Sequence, residues 1–249
     1  MHLSCSSSSF LNMEMTYEVR KECASWLPLV IKAKLINTVP QLDQSLRDLL
    51  ASITKGSQDE RRGTDHRCVV GLDIEKDCRP CLGADVYGGN NQVTEKVAVL
   101  KLCYGGRCLI IHLLHFKEAP SSLSAFLQLN WISFAGVGIR HCLEALDMNY
   151  GIKCRNAVDL GQLAAVVFGQ DRYRWYGLVD LAKMYFPKDV SVTKKLMSSS
   201  SGAALSNWCA ATLSEQQLEA AAVHAFVCFN LGHNLLKAKR PVYMNIDYD

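Results

Sequence analysis

His66–Glu75 reads HRCVVGLDIE, and the rest of the chain is organised around it. A short apolar run, Cys68 to Leu72, delivers an aspartate and a glutamate with one residue between them. If the run is a strand, its period of two puts Asp73 and Glu75 on one face at the carboxyl end. Paired carboxylates repel and are costly to desolvate, so a fold separates them, leaves them in solvent or supplies a cation. A solvated strand end is the plain reading, and a divalent metal the sharper one. The remainder of the chain has to decide.

The 249 residues are 49% hydrophobic and 20% charged, enough apolar material for one globular domain with a full core. A net charge of +3 argues neither for nor against nucleic acid; only a local patch could do that. Of eleven cysteines, Cys68, Cys103, Cys108 and Cys228 sit inside apolar runs, where a reduced thiol behaves as a small core residue. Cys78 and Cys81 form a lone Cys-x-x-Cys with no second pair at zinc spacing, which reads as a loop. No segment has signal-peptide order, and no apolar run is long enough to span a membrane. The expectation is a reduced intracellular protein, nuclear or cytoplasmic, with no membrane partner.

Residues 1–15, with Ser6 to Ser9 in a row, read as a disordered lead-in, and 238–249 as a tail. Thr16–Glu22 and Pro28–Val39 read as two strands. Leu42, Leu46, Leu49, Leu50 and Ile53 recur at helical spacing and predict a helix over 41–54, followed by a polar linker, Lys55–Asp65. After the Asp73 strand, Glu95–Tyr104 and Arg107–Leu114 read as a hairpin turned at Gly105-Gly106. Then come a helix at Pro120–Leu129, a strand at Trp131–Phe134, Gly136-Val137-Gly138-Ile139, and a helix over 140–149. A strand at Ile152–Cys154 and helices at Val158–Phe168 and Asp171–Tyr185 follow. A long helix over Ser214–Lys237 opens with Ser214 and Gln217 at capping-box spacing. The whole is a mixed sheet with helices packed on it.

This order of pieces, over residues 16–237, resembles the Werner-syndrome-like 3′–5′ exonuclease family, an α/β ribonuclease H-like fold of the DnaQ type. The likeness rests on VVGLDIE, VAVLKLCYGGRCLIIHL, FAGVGIRHCLEAL, IKCRNAVDLGQLA, GLVDLAKMYF and LSNWCAATLSEQQLEAAAVHAFVCFNLG, all in the family's order. It is nearest to plant members, and QLEAAAVHAF is also similar to the RISC-interacting clearing exoribonucleases. The resemblance implies metal-dependent phosphodiester hydrolysis from the 3′ end of single-stranded or unwound RNA or DNA. Mg²⁺ or Mn²⁺ would be the cofactor if the centre is active; two such ions, about 4 Å apart, would activate water and stabilise the leaving oxygen.

The family's Asp-x-Glu is matched by Asp73 and Glu75, the implied metal ligands. Its second Asp falls at Cys142, and its Tyr and Asp, four apart on the last helix, fall at Ala220 and His224. Cysteine sulfur and neutral imidazole are poor ligands for magnesium. Glu144 and Glu219 lie on other faces of their helices. Three readings follow: a lapsed enzyme kept as a nucleic-acid binder or assembly subunit, a reduced site working with Asp73, Glu75 and His224, or a transition-metal site of Cys142, His224 and Asp73. A homo-oligomer, with a neighbour completing the site, is compatible with the second.

Arg172, Arg174 and Trp175, in DRYRWYG, are the residue types that stack on bases and pair with phosphates. The plain alternative packs Trp175 and Tyr176 on the sheet. Lys76 would contact a phosphate or offset the two carboxylates. His112 and His115 read as core-edge histidines bonded to backbone, and His141 as exposed. Asp159 reads as structural, Gly136 and Gly138 as places of close backbone approach, and Lys183, Lys188, Lys194 and Lys195 as a solvated face.

Overall fold

The computed structural model describes residues 14–18, 30–60, 68–77, 96–186, 194, 196–198 and 206–238. The Cys-x-x-Cys, most of the lead-in and nearly all of the tail lie outside them. Among the described residues the strands are β1 Glu14–Glu18, β2 Val30–Ile36, β3 Cys68–Asp77, β4 Lys96–Tyr104, β5 Arg107–His112, β6 Ile132–Gly136 and β7 Ala157–Asp159. The helices are α1 Val39–Glu60, α2 Ser121–Leu127, α3 Ile139–Tyr150, α4 Leu160–Phe168, α5 Leu178–Tyr185 and α6 Glu215–Ala238. Short 3₁₀ turns cover Leu113–His115 and Asp171–Trp175.

The strands form one mixed sheet in the order β1-β2-β5-β4-β3-β6-β7. β4 runs antiparallel to both of its neighbours, β3 and β5, whereas β6 runs parallel to β3 and β7 parallel to β6. Helices cover both faces. One core holds Leu42, Leu46, Leu49 and Ile53 of α1 with Leu72, Leu100 and Phe134. The other holds Leu160 of α4, Leu181 of α5 and the apolar stripe of α6 with Val69, Val99 and Cys103. The alternation of β3 follows: Val70 and Leu72 face the first core, while Val69, Gly71, Asp73 and Glu75 face α6.

Several expected boundaries move. The first strand begins earlier than expected, at Glu14, and is described to Glu18; residues 19–29 lie outside the described residues, and the second strand, Val30–Ile36, ends short of Val39. Pro40 does not end a strand; it stands in the first turn of α1, where the missing N–H costs nothing. α1 runs on through Lys55–Glu60, so that part of the expected linker is helix; residues 61–65 lie outside the described residues. No strand forms at Ile152–Cys154. Ile152 plugs the core from a loop, and the Asn156 side chain donates to the carbonyls of Asn130 and Ile132, at 2.7 and 3.2 Å. Pairing with β6 resumes only at Ala157. Asp171–Tyr185 is two pieces, a 3₁₀ turn and α5. The seven cysteines among the described residues are free thiols, with Cys103, Cys108 and Cys228 buried and Cys68 partly so.

Candidate functional site

Asp73 and Glu75 leave β3 on the α6 side, as the period of two requires, and α6 lies directly over them. Its seat depends on Gly71: a Cβ there would stand 2.3 Å from the Ala225 carbonyl oxygen and 2.5 Å from the Phe229 nitrogen. Only glycine lets the helix backbone come so close. Ala220 and His224 point inward one turn apart. Ala220 is buried, and His224 Nδ1 lies 3.7 Å from Asp73 Oδ2. One ligand atom from each of Asp73, Glu75 and His224 falls within 4.8 Å of the others.

The sequence reading missed Lys101. In the β3–β4 register it sits directly opposite Asp73. It is fully buried, yet its Nζ lies 2.5 Å from Asp73 Oδ2 and 2.7 Å from Glu75 Oε1. Burial alone would raise the Asp73 carboxyl, but the Lys101 ammonium and the His224 ring outweigh it and hold the group well below the usual carboxylate range. Burial would likewise lower Lys101, but the two carboxylates more than offset it and keep the ammonium charged beyond the ordinary lysine range. The signal was present: one lysine inside the apolar run Val97–Leu102 must be paired if the strand is central. The partner comes from register, which the sequence does not state.

Cys142 lies on the second turn of α3, close enough to Asp73 to feel its charge. Burial, reinforced by that carboxylate, pushes its thiol up to about 12, so it offers a protonated sulfur at neutral pH. Cys228, one turn beyond His224, is also buried and raised well above the ordinary thiol value. Asp159 is structural, as expected: its two oxygens accept from Gln162 N at 3.0 Å and Ile139 N at 3.3 Å, closing the starts of α4 and α3 together. Gly136 is a close approach, since its Cβ would meet the Leu72 carbonyl at 2.4 Å. Gly138 is not; open space surrounds it, and its φ of 57° explains the residue instead. His112 is buried with Nε2 3.1 Å from the Trp208 carbonyl, and His141 is exposed beside Glu144.

Lys76 continues β3 beyond a register shift and is half-buried, whereas Lys101 makes the contacts that offset the carboxylates. In the 3₁₀ turn, Tyr173 is the residue that packs inward, and Trp175 stands 86% exposed. The Arg172 guanidinium covers the Tyr173 ring at 5.2 Å, and Arg174 Nε donates to Asp171 Oδ1 at 3.0 Å. The turn rests on the first turn of α4, where a Cβ on Gly161 would be 3.0 Å from the Tyr173 and Arg174 carbonyls. Gly161 itself stands just after the end of β7.

The donor set does not fit a pair of magnesium ions. Magnesium wants near-octahedral oxygen, and here two carboxylates already share an ammonium, one neighbour is a protonated thiol and the third donor is imidazole. A divalent ion about 4 Å from the Lys101 charge would be repelled by on the order of 8 kcal/mol at an effective dielectric near 20.

Residues 60–239 match the family model described as 3′-5′ exonuclease, and the chain belongs to that family. It is 29% identical over 174 residues to an Arabidopsis thaliana 3′-5′ exonuclease, covering 70% of this chain and 54% of that protein. The chain thus spans about half the length of that relative. It is 28% identical over 152 residues to the RISC-interacting clearing 3′-5′ exoribonuclease 1 of the same plant, covering 59% of this chain and 72% of that one. Among solved structures, Escherichia coli RNase D, an exoribonuclease involved in structured RNA processing, shares the fold. Its TM-score is 0.59 at 19% identity, over 85% of this chain and 46% of RNase D. The mixed sheet with flanking helices is the ribonuclease H-like DnaQ exonuclease fold.

Proposed function

We propose that the chain binds the 3′ end of single-stranded or unwound nucleic acid in the cleft of a 3′–5′ exonuclease fold whose two-metal chemistry has lapsed. The observation that carries this is the Lys101 ammonium seated against both carboxylates. Cys142, Ala220 and His224, at positions where the family has Asp, Tyr and Asp, support it. Trp175 with Arg172 and Arg174 supplies an exposed ring beside two cations, the chemistry of base stacking and phosphate pairing. RNA is favoured over DNA by the exoribonuclease relatives. An intracellular place of action, and assembly with copies of itself or with active relatives, belong to the same proposal.

A second reading, hydrolysis with a reduced site, is favoured by the convergence of Asp73, Glu75 and His224 and by the family itself. The test uses 5′-labelled single-stranded RNA and DNA of one sequence, with Mg²⁺, with Mn²⁺ and with chelator. The expected result is binding without a ladder, unchanged in Asp73→Ala and weakened about tenfold in Trp175→Ala. A ladder from the 3′ end that vanishes in Asp73→Ala carries the second reading. Absence of binding under every condition overturns both.

A further inference from the structure

Lys101 is out of keeping with its surroundings. The flanking positions Val97–Leu102 are buried and apolar, and the side chain has no exposure to share its charge with water. Placing an ammonium there is costly unless anions wait for it. Two do, and both are set by the backbone: Asp73 by the register opposite Lys101, and Glu75 two residues further along the same face. The Nζ lies within hydrogen-bond distance of one oxygen from each. A divalent ion held by these two carboxylates would have to occupy the same ground.

We propose that Lys101 is a built-in replacement for the metal, holding Asp73 and Glu75 together in its absence, and that removing its charge uncovers a divalent-cation site made by Asp73, Glu75 and His224. This rests on the reading that two-metal hydrolysis has lapsed, and explains how the carboxylates outlived it. Two oxygen donors and one imidazole nitrogen suit Mn²⁺ better than Mg²⁺, so Mn²⁺ is the probe. The wild-type centre keeps its geometry with chelator present and takes up no ion.

The experiment measures Mn²⁺ binding by loss of the free-ion paramagnetic resonance signal, beside thermal unfolding with Mn²⁺ or chelator. Four chains are compared: wild type, Lys101→Arg, Lys101→Gln and the double variant Lys101→Gln with Asp73→Asn. Lys101→Gln is expected to bind one Mn²⁺ at least tenfold more tightly than wild type, with a Mn²⁺-dependent rise in melting temperature of about 3 °C. Wild type, Lys101→Arg and the double variant are expected to show neither. If Lys101→Gln is unfolded in chelator, recovery of structure on adding Mn²⁺ supports the proposal equally. Mn²⁺ uptake by wild type to the same extent overturns it, as does any result in which Lys101→Gln gains no Mn²⁺-dependent signal. A nuclease ladder from wild type would instead overturn the underlying reading, so the two fail separately.

Discussion

At the scale of single residues, electrostatics inside the fold governs what each titratable group can do. His112 is the plainest case outside the candidate centre. Burial, helped by the neighbouring His115, lowers its ring to about 4 from an ordinary 6.5. The unfolded chain therefore takes up a proton between pH 6.5 and 4 that the folded chain refuses, and stability rises with pH through that window. Going from pH 7 to 4.5 is expected to cost wild type roughly 2 kcal/mol by denaturant unfolding, and His112→Gln should flatten that slope. Asp73 does not confuse the measurement. Its carboxyl is held below the usual range, so its contribution is present above the unfolded value near 3.8 and is lost only at lower pH. An equal slope in both chains would mean that His112 is charged when folded. The sequence placed His112 rightly at the end of an apolar strand. It could not reveal Lys101 as the partner of Asp73, because strand register is a property of pairs.

Among the elements, α6 matters most. Ser214 and Gln217 close its first turn reciprocally: Gln217 N donates to Ser214 Oγ at 3.2 Å and Ser214 N to Gln217 Oε1 at 2.9 Å. That device was legible because it is local. The helix's seat was not, since it depends on glycines that carry no side-chain signal of their own. Gly71→Ala would drive a Cβ into the backbone of α6 around Ala225 and Phe229, and no rotamer change relieves that. The expected loss is about 2 kcal/mol or more, a fall in melting temperature of about 4 to 8 °C. An unshifted melting temperature would show that α6 does not rest on β3 as described. The strand expected at Ile152–Cys154 failed for a related reason. Ile152 is fully buried, and apolarity in a short run does not separate a paired strand from a loop residue filling the core.

For the whole molecule, one sheet serves two cores, and one of them is closed largely by α6. The order of elements along the chain made the fold recognisable, because six ordered segments constrain topology more than any one motif does. What that order could not convey is how the chemistry changed, since the substitutions at Cys142, Ala220 and His224 acquire meaning only beside Lys101. A chain ending at Leu213 would lose Leu218, Ala221, Phe226 and Leu231 from the core and leave β3 and β4 bare on one side. It is expected to lose cooperative thermal unfolding, and to regain it when a peptide of residues 214–238 is added. Cooperative unfolding without the peptide would show that α6 is an accessory.

The position of α6 in the chain also sets a timetable. Its partners in the sheet, β6 included, are complete once Gly136 has been made, yet the helix ends only at Ala238, 102 residues later. At roughly 5–20 residues per second, the apolar side of β3, β4 and β6 waits about 5 to 20 s on the ribosome for its cover. During that interval the nascent protein presents chaperones with a broad sticky face, and Asp73 and Glu75 wait equally long for the helix that lies over them.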